Sequence, residues 1–211
     1  MNVAIVSGGT APSEKLLMGY LNKVDFIIAA DRGSECLYNY GIIPDLLLGD
    51  FDSVKKEILD TVKLEIKEVL EFPPEKDYTD TEIAIIEAIK RGAKKIYLFG
   101  ATGSRMDHTL GNIGLLLTTK KRGATLEIID DNNRLYLGEK KMKLFGKYGE
   151  NISFHALCDK VKSFKIIGAK YNLETCDISL LDPRAICNEF VDTPIEISFE
   201  EGELLILHSI D

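Results

Sequence analysis

The chain has 211 residues, which is enough for one large domain or two small ones. Hydrophobic residues make up 45% and charged residues 28% of the sequence, and the net charge at pH 7 is −8. This acidic balance argues against nucleic-acid binding, and no apolar stretch reaches the length of a membrane span. The charge favours a cationic substrate, whereas a polyphosphate anion requires a divalent cation or local basic residues.

The first six residues predict a strand rather than a secretion signal, because they carry no basic segment and their apolar run is short. The four cysteines show neither CxxC nor zinc-ligand spacing. Reduced thiols and a cytoplasmic location are therefore the expectation.

Up to about residue 130, short apolar runs alternate with segments of helical periodicity. The runs are rich in Val, Ile, Leu and Phe, as expected of strands covered on both faces, and they lie at 3–6, 26–30, 45–48, 68–72, 95–99 and 125–129. For the helix predicted over 81–91, Thr79 or Asp80 is the expected N-cap and Gly92 the expected C-cap. This alternation predicts an α/β domain over residues 1–130, with a mostly parallel sheet in three layers.

After residue 130 the helical periodicity disappears, and runs of β-branched and aromatic residues recur between turn signals. These runs lie at 134–137, 141–145, 151–156, 161–167, 177–181, 189–191, 195–199 and 204–207. The pattern predicts a small antiparallel β-sandwich or barrel over residues 131–211, with the polar segment 130–133 at the boundary.

Two acidic clusters follow predicted strands, GDFDS at residues 49–53 and DYTD at residues 77–80. Carboxylates crowded at strand ends repel one another, and a divalent cation, or a cation carrying phosphates, relieves that repulsion. An isolated acidic turn is usually a solvated turn or a helix cap, but parallel strands end at the same edge of a sheet. The clusters therefore predict that Mg²⁺ is held, directly or through its waters, by Asp50, Asp52, Asp77 and Asp80.

Other predicted strand ends carry small and basic residues, with SGGT at 7–10, DRG at 31–33 and GATGSRMDH at 100–108. Glycine-rich turns let backbone N–H groups approach phosphates, and Arg105 can contact a phosphate through two N–H groups, although Asp107 is an alternative partner for it. His108 can supply a proton or a hydrogen bond. There is no GxxxxGK[ST], which excludes a P-loop, and no GxGxxG, which disfavours a dinucleotide site. The pattern predicts phosphoryl or pyrophosphoryl transfer.

These motifs, in this order and spacing, resemble the thiamine pyrophosphokinase (thiamine diphosphokinase) family. The matching segments are ADRG at 30–33, PD at 44–45 leading to GDFDS, KDYTD at 76–80, GATGSRMDH at 100–108 and CNEF at 187–190. The resemblance spans nearly the whole chain. It implies an N-terminal α/β catalytic domain that binds ATP and Mg²⁺, and a C-terminal β-sandwich that binds thiamine. It also implies a homodimer with active sites between subunits, and transfer of pyrophosphate from ATP to thiamine with release of AMP.

The resemblance further implies roles for individual residues. The metal and phosphate site matches Asp50, Asp52, Asp77 and Asp80, and either Asp77 or Asp80 is the candidate base. The matching catalytic set is Asp52, Asp77, Asp80 and Arg105; the ATP-side contacts are Asp31, Arg105, Asp107 and His108; the thiamine-side contacts are Cys187 and Asn188.

Two positions depart from the family pattern: Ser104 stands where Gly is common, and Cys187 stands where Ser is common. The chain has no Trp, so any aromatic stacking on thiamine falls to Phe, Tyr or His. Two other functions stay open. One is a different Mg²⁺-dependent pyrophosphokinase or phosphohydrolase acting on a related substrate, and the other is a non-catalytic protein that binds thiamine or a nucleotide.

Overall fold

The computed structural model describes residues 1–52, 54, 56–180 and 182–210, and the chain divides into two compact units, residues 1–131 and 132–211. Ser53 of the first acidic motif and Leu181 of the predicted strand 177–181 lie outside the described residues. Over the described part of the chain, no helix is both long and apolar enough to cross a membrane.

The first unit is built on a six-stranded sheet in which all strands are parallel, in the order β6-β5-β1-β2-β3-β4. Most residues of β1, β2, β3 and β5 are buried, which accounts for their almost uninterrupted apolar sequences. The observed bounds differ from the predicted ones by at most one residue at either end: β1 is Asn2–Val6, β2 Phe26–Ala30, β3 Leu46–Gly49, β4 Glu68–Glu71, β5 Lys95–Phe99 and β6 Thr125–Ile129.

Within the described residues, five helices cover this sheet: α1 (Glu14–Leu21), α2 (Gly33–Asn39), α3 (Lys56–Glu65), α4 (Asp80–Lys90) and α5 (Met106–Lys121). Leu17, Leu37 and Val62 of the first three helices share one core cluster with alternate residues of the strands. Helices α4 and α5 pack on each other and on the strands without joining that cluster, so they cover the opposite face. The predicted α/β domain with a mostly parallel sheet is confirmed.

Helix α4 begins after Thr79, whose hydroxyl oxygen accepts a hydrogen bond from the Glu82 N–H at 3.2 Å. Thr79 is therefore the N-cap, and Asp80 is the first helical residue with its carboxylate available for other contacts. The helix ends at Lys90, and Gly92 follows with a φ of +92°, where a residue with a side chain would be strained.

The order of the strands determines where the loops after β1 and β5 lie on the sheet. The chain runs from β1 through β4 toward one edge of the sheet and then returns to place β5 on the other side of β1. Such a reversal opens a crevice beyond the carboxyl ends of the two central strands, because their connections leave in opposite directions. Here the loop after β1 carries Gly8 and Gly9, and the loop after β5 begins with Gly100.

The second unit contains two antiparallel sheets with an apolar core between them, in the strand orders β12-β9-β14-β7 and β11-β10-β13-β8. Alternate residues of β9 are buried, and Phe154 on β9 lies 5.5 Å, between ring centroids, from Phe164 on the other sheet. The strands are β7 (Asn133–Leu137), β8 (Lys141–Leu144), β9 (Asn151–Ala156), β10 (Lys160–Ile167), β11 (Leu173–Ser179), β12 (Asn188–Glu189), β13 (Ile195–Ser198) and β14 (Leu204–Ser209). The predicted C-terminal antiparallel β-structure is confirmed.

The strand predicted at 177–181 is misplaced, because β11 runs from Leu173 to Ser179. Most of β11 is polar or partly exposed and only Ile178 is fully buried, so no apolar pattern marks its first half. The sequence also gave no sign of the short 3₁₀ turn at Pro183–Ala185, which follows β11.

Candidate active site

A cleft of about 710 Å³ lies in the first unit, beyond the carboxyl ends of the parallel strands. It is lined by the loops after β1, β2, β4 and β5, by Asp50 and Asp52 after β3, and by the first turns of α4 and α5. Because residues that are far apart in sequence converge there through strand order alone, this is the place where an open α/β sheet binds ligands.

One side of the cleft is acidic. Asp31, Asp50 and Asp52 each offer a carboxylate oxygen, and these three atoms lie within 4.8 Å of one another. Asp31 follows β2 in a left-handed conformation, with a φ of +47°, and its N–H donates to the Leu48 carbonyl at 2.8 Å. Gly49 permits this approach, since a Cβ there would lie only 3.2 Å from the Asp31 backbone. We refer to these three carboxylates as the acidic edge.

Within the acidic edge, the carboxylates of Asp50 and Asp52 repel each other, and this repulsion is reflected in their pKa values. The neighbouring charge of Asp50 is the main reason that the pKa of Asp52 is raised above its ordinary value. Burial raises the pKa of Asp50, but a hydrogen bond from the Asp52 N–H at 3.2 Å and the nearby Lys76 ammonium outweigh that effect and lower it. One carboxylate is thus held ionised while its neighbour is easier to protonate, which is the state that an added cation relieves.

Lys76 joins the acidic edge to the start of helix α4. Its ammonium nitrogen lies 3.2 Å from an Asp50 oxygen and 2.9 Å from an Asp80 oxygen, and all three side chains are largely shielded from solvent. Burial lowers the pKa of Lys76, but the hydrogen bonds to Asp80 and Asp50 and their charges raise it overall. Lys76 lies in the loop before α4, so the helical (i, i+4) rule does not apply to this pair, and its place in the KDYTD segment is the sequence signal by which Lys76 could have been found.

The other side of the cleft is formed by two glycine-rich loops that run against each other. The Gly9 N–H donates to the Gly100 carbonyl at 2.8 Å, and the Thr10 N–H donates to the Thr102 carbonyl at 2.8 Å. A Cβ at Gly9 would overlap the Thr102 carbonyl oxygen, and one at Gly100 would overlap the Ser7 carbonyl oxygen. The expectation that these amides point at phosphates is therefore wrong for Gly9, whose N–H is used to hold the loops together.

Helix α5 brings a basic and a polar side chain to the same side. Arg105 and His108 line the cleft, and Asn112 fixes the loop by donating from its amide to the Ala101 carbonyl at 2.7 Å. Arg105 pairs with Asp107, with 2.6 Å between Nη2 and Oδ2, and both side chains are exposed. Hydrogen bonding to Arg105 lowers the pKa of Asp107 to about 2. Asn112 was not expected from the sequence, because an Asn in the second turn of a helix carries no motif.

The structure brings together most of the predicted residues of the first unit, but not all. Asp77 and Asp107 are exposed and do not line the cleft, whereas Lys76, Thr81 and Asn112 do so without having been predicted as site residues. The predicted residues that line the cleft are Asp31, Asp50, Asp52, Asp80, Arg105 and His108.

The two thiamine-side residues predicted in the second unit, Cys187 and Asn188, differ in their exposure to solvent. Cys187 is exposed, has a φ of +54° and donates its N–H to the Ser153 hydroxyl at 3.0 Å. Asn188 is only 3% exposed, and its amide oxygen accepts from the Tyr171 N–H at 3.0 Å while its amide nitrogen donates to the Tyr171 carbonyl at 2.7 Å. Tyr171 is 59% exposed, so Asn188 fixes the backbone of an aromatic residue that faces solvent.

A parallel sheet with carboxylates on one side of its crevice, and glycine-rich loops with an arginine on the other, defines an α/β enzyme of the phosphoryl- or pyrophosphoryl-transferring class. Comparisons with known proteins narrow this class. The family model described as "Thiamin pyrophosphokinase, catalytic domain" matches residues 17–128, and the model "Thiamin pyrophosphokinase, vitamin B1 binding domain" matches residues 138–204.

Individual relatives agree with the family models. A thiamine pyrophosphokinase of Bacillus subtilis (strain 168) is 31% identical over 212 residues, which cover 99% of each chain. The crystal structure of thiamin pyrophosphokinase from Geobacillus thermodenitrificans is similar with 32% identity and a TM-score of 0.85, covering 100% of this chain and 98% of that one. A thiamin pyrophosphokinase family protein from Enterococcus faecalis gives 26% identity and a TM-score of 0.87, with both chains covered completely. The chain belongs to the thiamin pyrophosphokinase family.

Proposed function

We propose that the chain is a thiamine diphosphokinase, which transfers the pyrophosphoryl group of ATP to the hydroxyl group of thiamine and releases AMP. The observation that carries this function is the cleft, which is lined on one side by the acidic edge and on the other by two hydrogen-bonded glycine-rich loops. The chain also matches a member of that family along its whole length. Membership supports ATP and thiamine as the substrates, and the net charge of −8 favours thiamine, which is a cation.

The acidic edge has the chemistry of a Mg²⁺ site. Mg²⁺ prefers oxygen ligands and usually takes only one or two carboxylates, completing its shell with water and phosphate oxygens. Asp31, Asp50 and Asp52 meet that need, because their oxygens already lie within 4.8 Å of one another and the raised pKa of Asp52 shows excess negative charge. When bound, Mg²⁺ would neutralise the triphosphate. The predicted metal set therefore gains Asp31, while Asp77 is exposed and lies outside the cleft lining.

The remaining residues of the cleft would position ATP. Arg105 has two N–H groups that match a phosphate, and binding would require it to exchange Asp107 for the substrate, which costs little because this pair is exposed. His108 lies one helical turn from Arg105 at the same edge and would donate a hydrogen bond. The two glycine-rich loops also line the cleft and carry no bulky side chains at Gly8, Gly9, Gly100 and Gly103, so a polyphosphate chain could lie along them.

The transfer step forms a bond between the thiamine oxygen and the β-phosphorus, breaks the bond from that phosphorus to the oxygen of the α-phosphate, and releases AMP. The hydroxyl proton must leave during this step. We assign it to Asp80, because Asp80 lines the cleft beside Lys76 and Asp77 does not. Asp80→Asn should then reduce kcat far more than Asp77→Asn, and an equal loss in both variants would reject the assignment.

The thiamine-side residues of the second unit would act in two ways. Asn188 has its amide occupied by the Tyr171 backbone, so we propose that it shapes the contact surface and that Tyr171 supplies the aromatic stacking. Stacking of a cation on an exposed ring contributes roughly 0.5–1 kcal/mol, and more when the pair is shielded from water. Tyr171→Ala should therefore raise the KM for thiamine by about two- to fivefold, while Tyr171→Phe should leave it nearly unchanged. Loss of thiamine affinity in both variants would point to the hydroxyl group instead.

The decisive experiment is to incubate the purified protein with ATP, Mg²⁺ and thiamine and to identify the nucleotide product. AMP together with thiamine diphosphate supports the proposal, and ADP or no turnover contradicts it. A screen of other alcohols belongs to the same experiment, because Cys187 replaces the common serine on the acceptor side. Clear preference for another alcohol would replace thiamine as the substrate but leave the pyrophosphoryl transfer in place.

We further propose that the protein is a homodimer in the cytoplasm. Family membership supports the dimer, and the free state of all four cysteines fits a reducing compartment. Light scattering after size exclusion should give twice the chain mass of 23.5 kDa, and a mass of one chain at micromolar concentration would contradict the dimer.

A further inference from the structure

Three lysine and arginine side chains line the cleft among the described residues, namely Arg32, Lys76 and Arg105. Lys76 bridges two carboxylates at 3.2 Å and 2.9 Å, and Arg105 pairs with Asp107. Arg32 is exposed, and it makes no ion pair or side-chain hydrogen bond with any residue that the structure describes. Arg32 is therefore the basic residue of the cleft whose guanidinium group is available to a ligand.

The backbone of Arg32 is fixed between the ends of β2 and β1. The next residue, Gly33, packs directly on β1, and a Cβ there would overlap the Val6 carbonyl oxygen. Arg32 itself lies against the loop after β1, because a Cβ at Gly8 would be only 3.0 Å from the Arg32 Cβ. The small residues on both sides thus hold the start of the arginine side chain beside the glycine-rich loop.

Arg32 and Arg105 reach the cleft from opposite sides of β1. Strand β2 pairs with one edge of β1 and β5 with the other, so the ends of β2 and β5 lie two strand spacings, or about 10 Å, apart. Arg32 directly follows Asp31, which places it on the side of the acidic edge, whereas Arg105 lies between β5 and α5. A polyphosphate chain that crosses the loop after β1 can therefore be contacted by one arginine from each side.

We propose that Arg32 binds the two phosphates that are transferred, while Arg105 binds the phosphate that stays with the nucleotide. This inference rests on the proposed function, because it takes the acidic edge as the Mg²⁺ site and ATP as the substrate. Metal ions in phosphoryl-transfer sites bridge the terminal phosphates, and Arg32 is the arginine on the metal side of the cleft. Its guanidinium group can hold a phosphate through two parallel N–H groups, which a lysine cannot reproduce.

The test uses the two halves of the substrate as separate probes. Inorganic pyrophosphate with Mg²⁺ represents the transferred group, AMP represents the remaining nucleotide, and calorimetric titration gives the affinity for each. Arg32→Gln removes the charge, Arg32→Lys keeps the charge but removes the paired N–H groups, and Arg105→Gln removes the opposite arginine. The control is Arg122→Gln, which removes one positive charge from the same unit at a residue that does not line the cleft.

The affinity for pyrophosphate should fall about tenfold in Arg32→Gln and about threefold in Arg32→Lys, because charge-assisted hydrogen bonds are lost wholly or in part. The affinity of Arg32→Gln for AMP should stay within about twofold of that of the unchanged protein. Arg105→Gln should show the reverse pattern, with the larger loss for AMP. Arg122→Gln should change neither affinity. The Tm of the Arg32 variants should stay constant, since this side chain is exposed and supports no other residue that the structure describes.

Unchanged affinity of Arg32→Gln for pyrophosphate would overturn the inference and leave Arg32 as a solvated cation beside the acidic edge. Equal losses for pyrophosphate and AMP would overturn the assignment to the transferred phosphates, and an equal loss in Arg122→Gln would show that net charge alone is responsible. Absence of pyrophosphate binding by the unchanged protein would also refute it. AMP formation from ATP and thiamine tests the reaction separately, so a protein that binds pyrophosphate through Arg32 but releases ADP would lose only the proposed function.

Discussion

The two units use their motif residues differently. In the first unit, Asp50 and Asp52 follow a strand and present their carboxylates to the cleft. In the second unit, Asn188 is buried, and both ends of its amide are bonded to the backbone of Tyr171. Motif residues at the ends of parallel strands can thus mark contacts to a ligand, while a motif residue inside a β-sandwich can mark the support of another residue.

The largest expected effect is the loss of a charge from the acidic edge. Asp52→Asn keeps the size of the side chain but removes the negative charge that would face the metal, so kcat should fall by about 10³-fold. The Tm should stay the same or rise slightly, because repulsion from Asp50 is relieved. Initial rates of AMP formation and thermal unfolding measure the two quantities.

Asp60→Asn is the matched control, since Asp60 is exposed on α3 of the same unit and does not line the cleft. It should retain full activity. A comparable loss of kcat in Asp60→Asn would mean that net charge, rather than the position of Asp52, governs the rate. The claim that the motif aspartates of the first unit act by contacting a ligand would then fail.

The second expected effect tests support by Asn188. Asn188→Ala removes the side-chain partners of the partly buried N–H and carbonyl of Tyr171, which should reduce the free energy of unfolding by about 1–2 kcal/mol. Because the loop carrying Tyr171 loses its anchor, the KM for thiamine should rise while the KM for ATP stays constant. Denaturant titration and steady-state kinetics measure these effects.

The exposed neighbour Asn172 provides the control for this substitution, and Asn172→Ala should change neither quantity. If Asn188→Ala raised the KM for thiamine without loss of stability, Asn188 would be a direct contact. Its role would then resemble that of the aspartates, and the distinction between the units would disappear.

The third effect concerns the glycine-rich side of the cleft. Gly100 has a φ of +63°, and a Cβ there would overlap the Ser7 carbonyl, so Gly100→Ala should reduce the free energy of unfolding by about 2 kcal/mol. Gly111, on α5, has open space around it, and Gly111→Ala should increase stability by about 0.5–1 kcal/mol. Chemical denaturation of both variants compares them directly, and equal effects would contradict the close contact between the loops.

Much of the fold was predictable because buried strands have nearly continuous apolar sequences. The bounds of β2, β5 and β6 match the predictions, since most residues of each of these strands are apolar. Strand β11 was misplaced because its first half is polar, and a partly exposed strand of mixed composition has no distinctive period. The sequence specifies such a strand only through its pairing with β10.

The sequence predicted which loops form the site, but not the direction in which each side chain of those loops points. Asp31 was expected among the ATP contacts, yet it lies with Asp50 and Asp52, because its backbone turns left-handed after β2. Asp77 sits in the second acidic motif but is exposed, since the chain turns there before entering α4. Periodicity and spacing report which residues share a loop, whereas the direction of each side chain depends on individual backbone angles.

The smallest effect is expected at the rim of the cleft, where the Arg105–Asp107 pair is exposed. The pKa of Asp107 is about 2, below the ordinary value for Asp, so the stability from this pair is present above pH 4 and is lost as the pH falls toward 2. Asp107→Asn removes that contribution, and near pH 6 its Tm should be lower by no more than about 1 °C because solvent screens the pair. The Tm difference between variant and unchanged protein should shrink as the pH falls toward 2, where about half of the Asp107 carboxyl groups are protonated. A large Tm loss at pH 6 would mean that Asp107 supports its loop as Asn188 supports Tyr171. Both units would then use a motif residue for structural support.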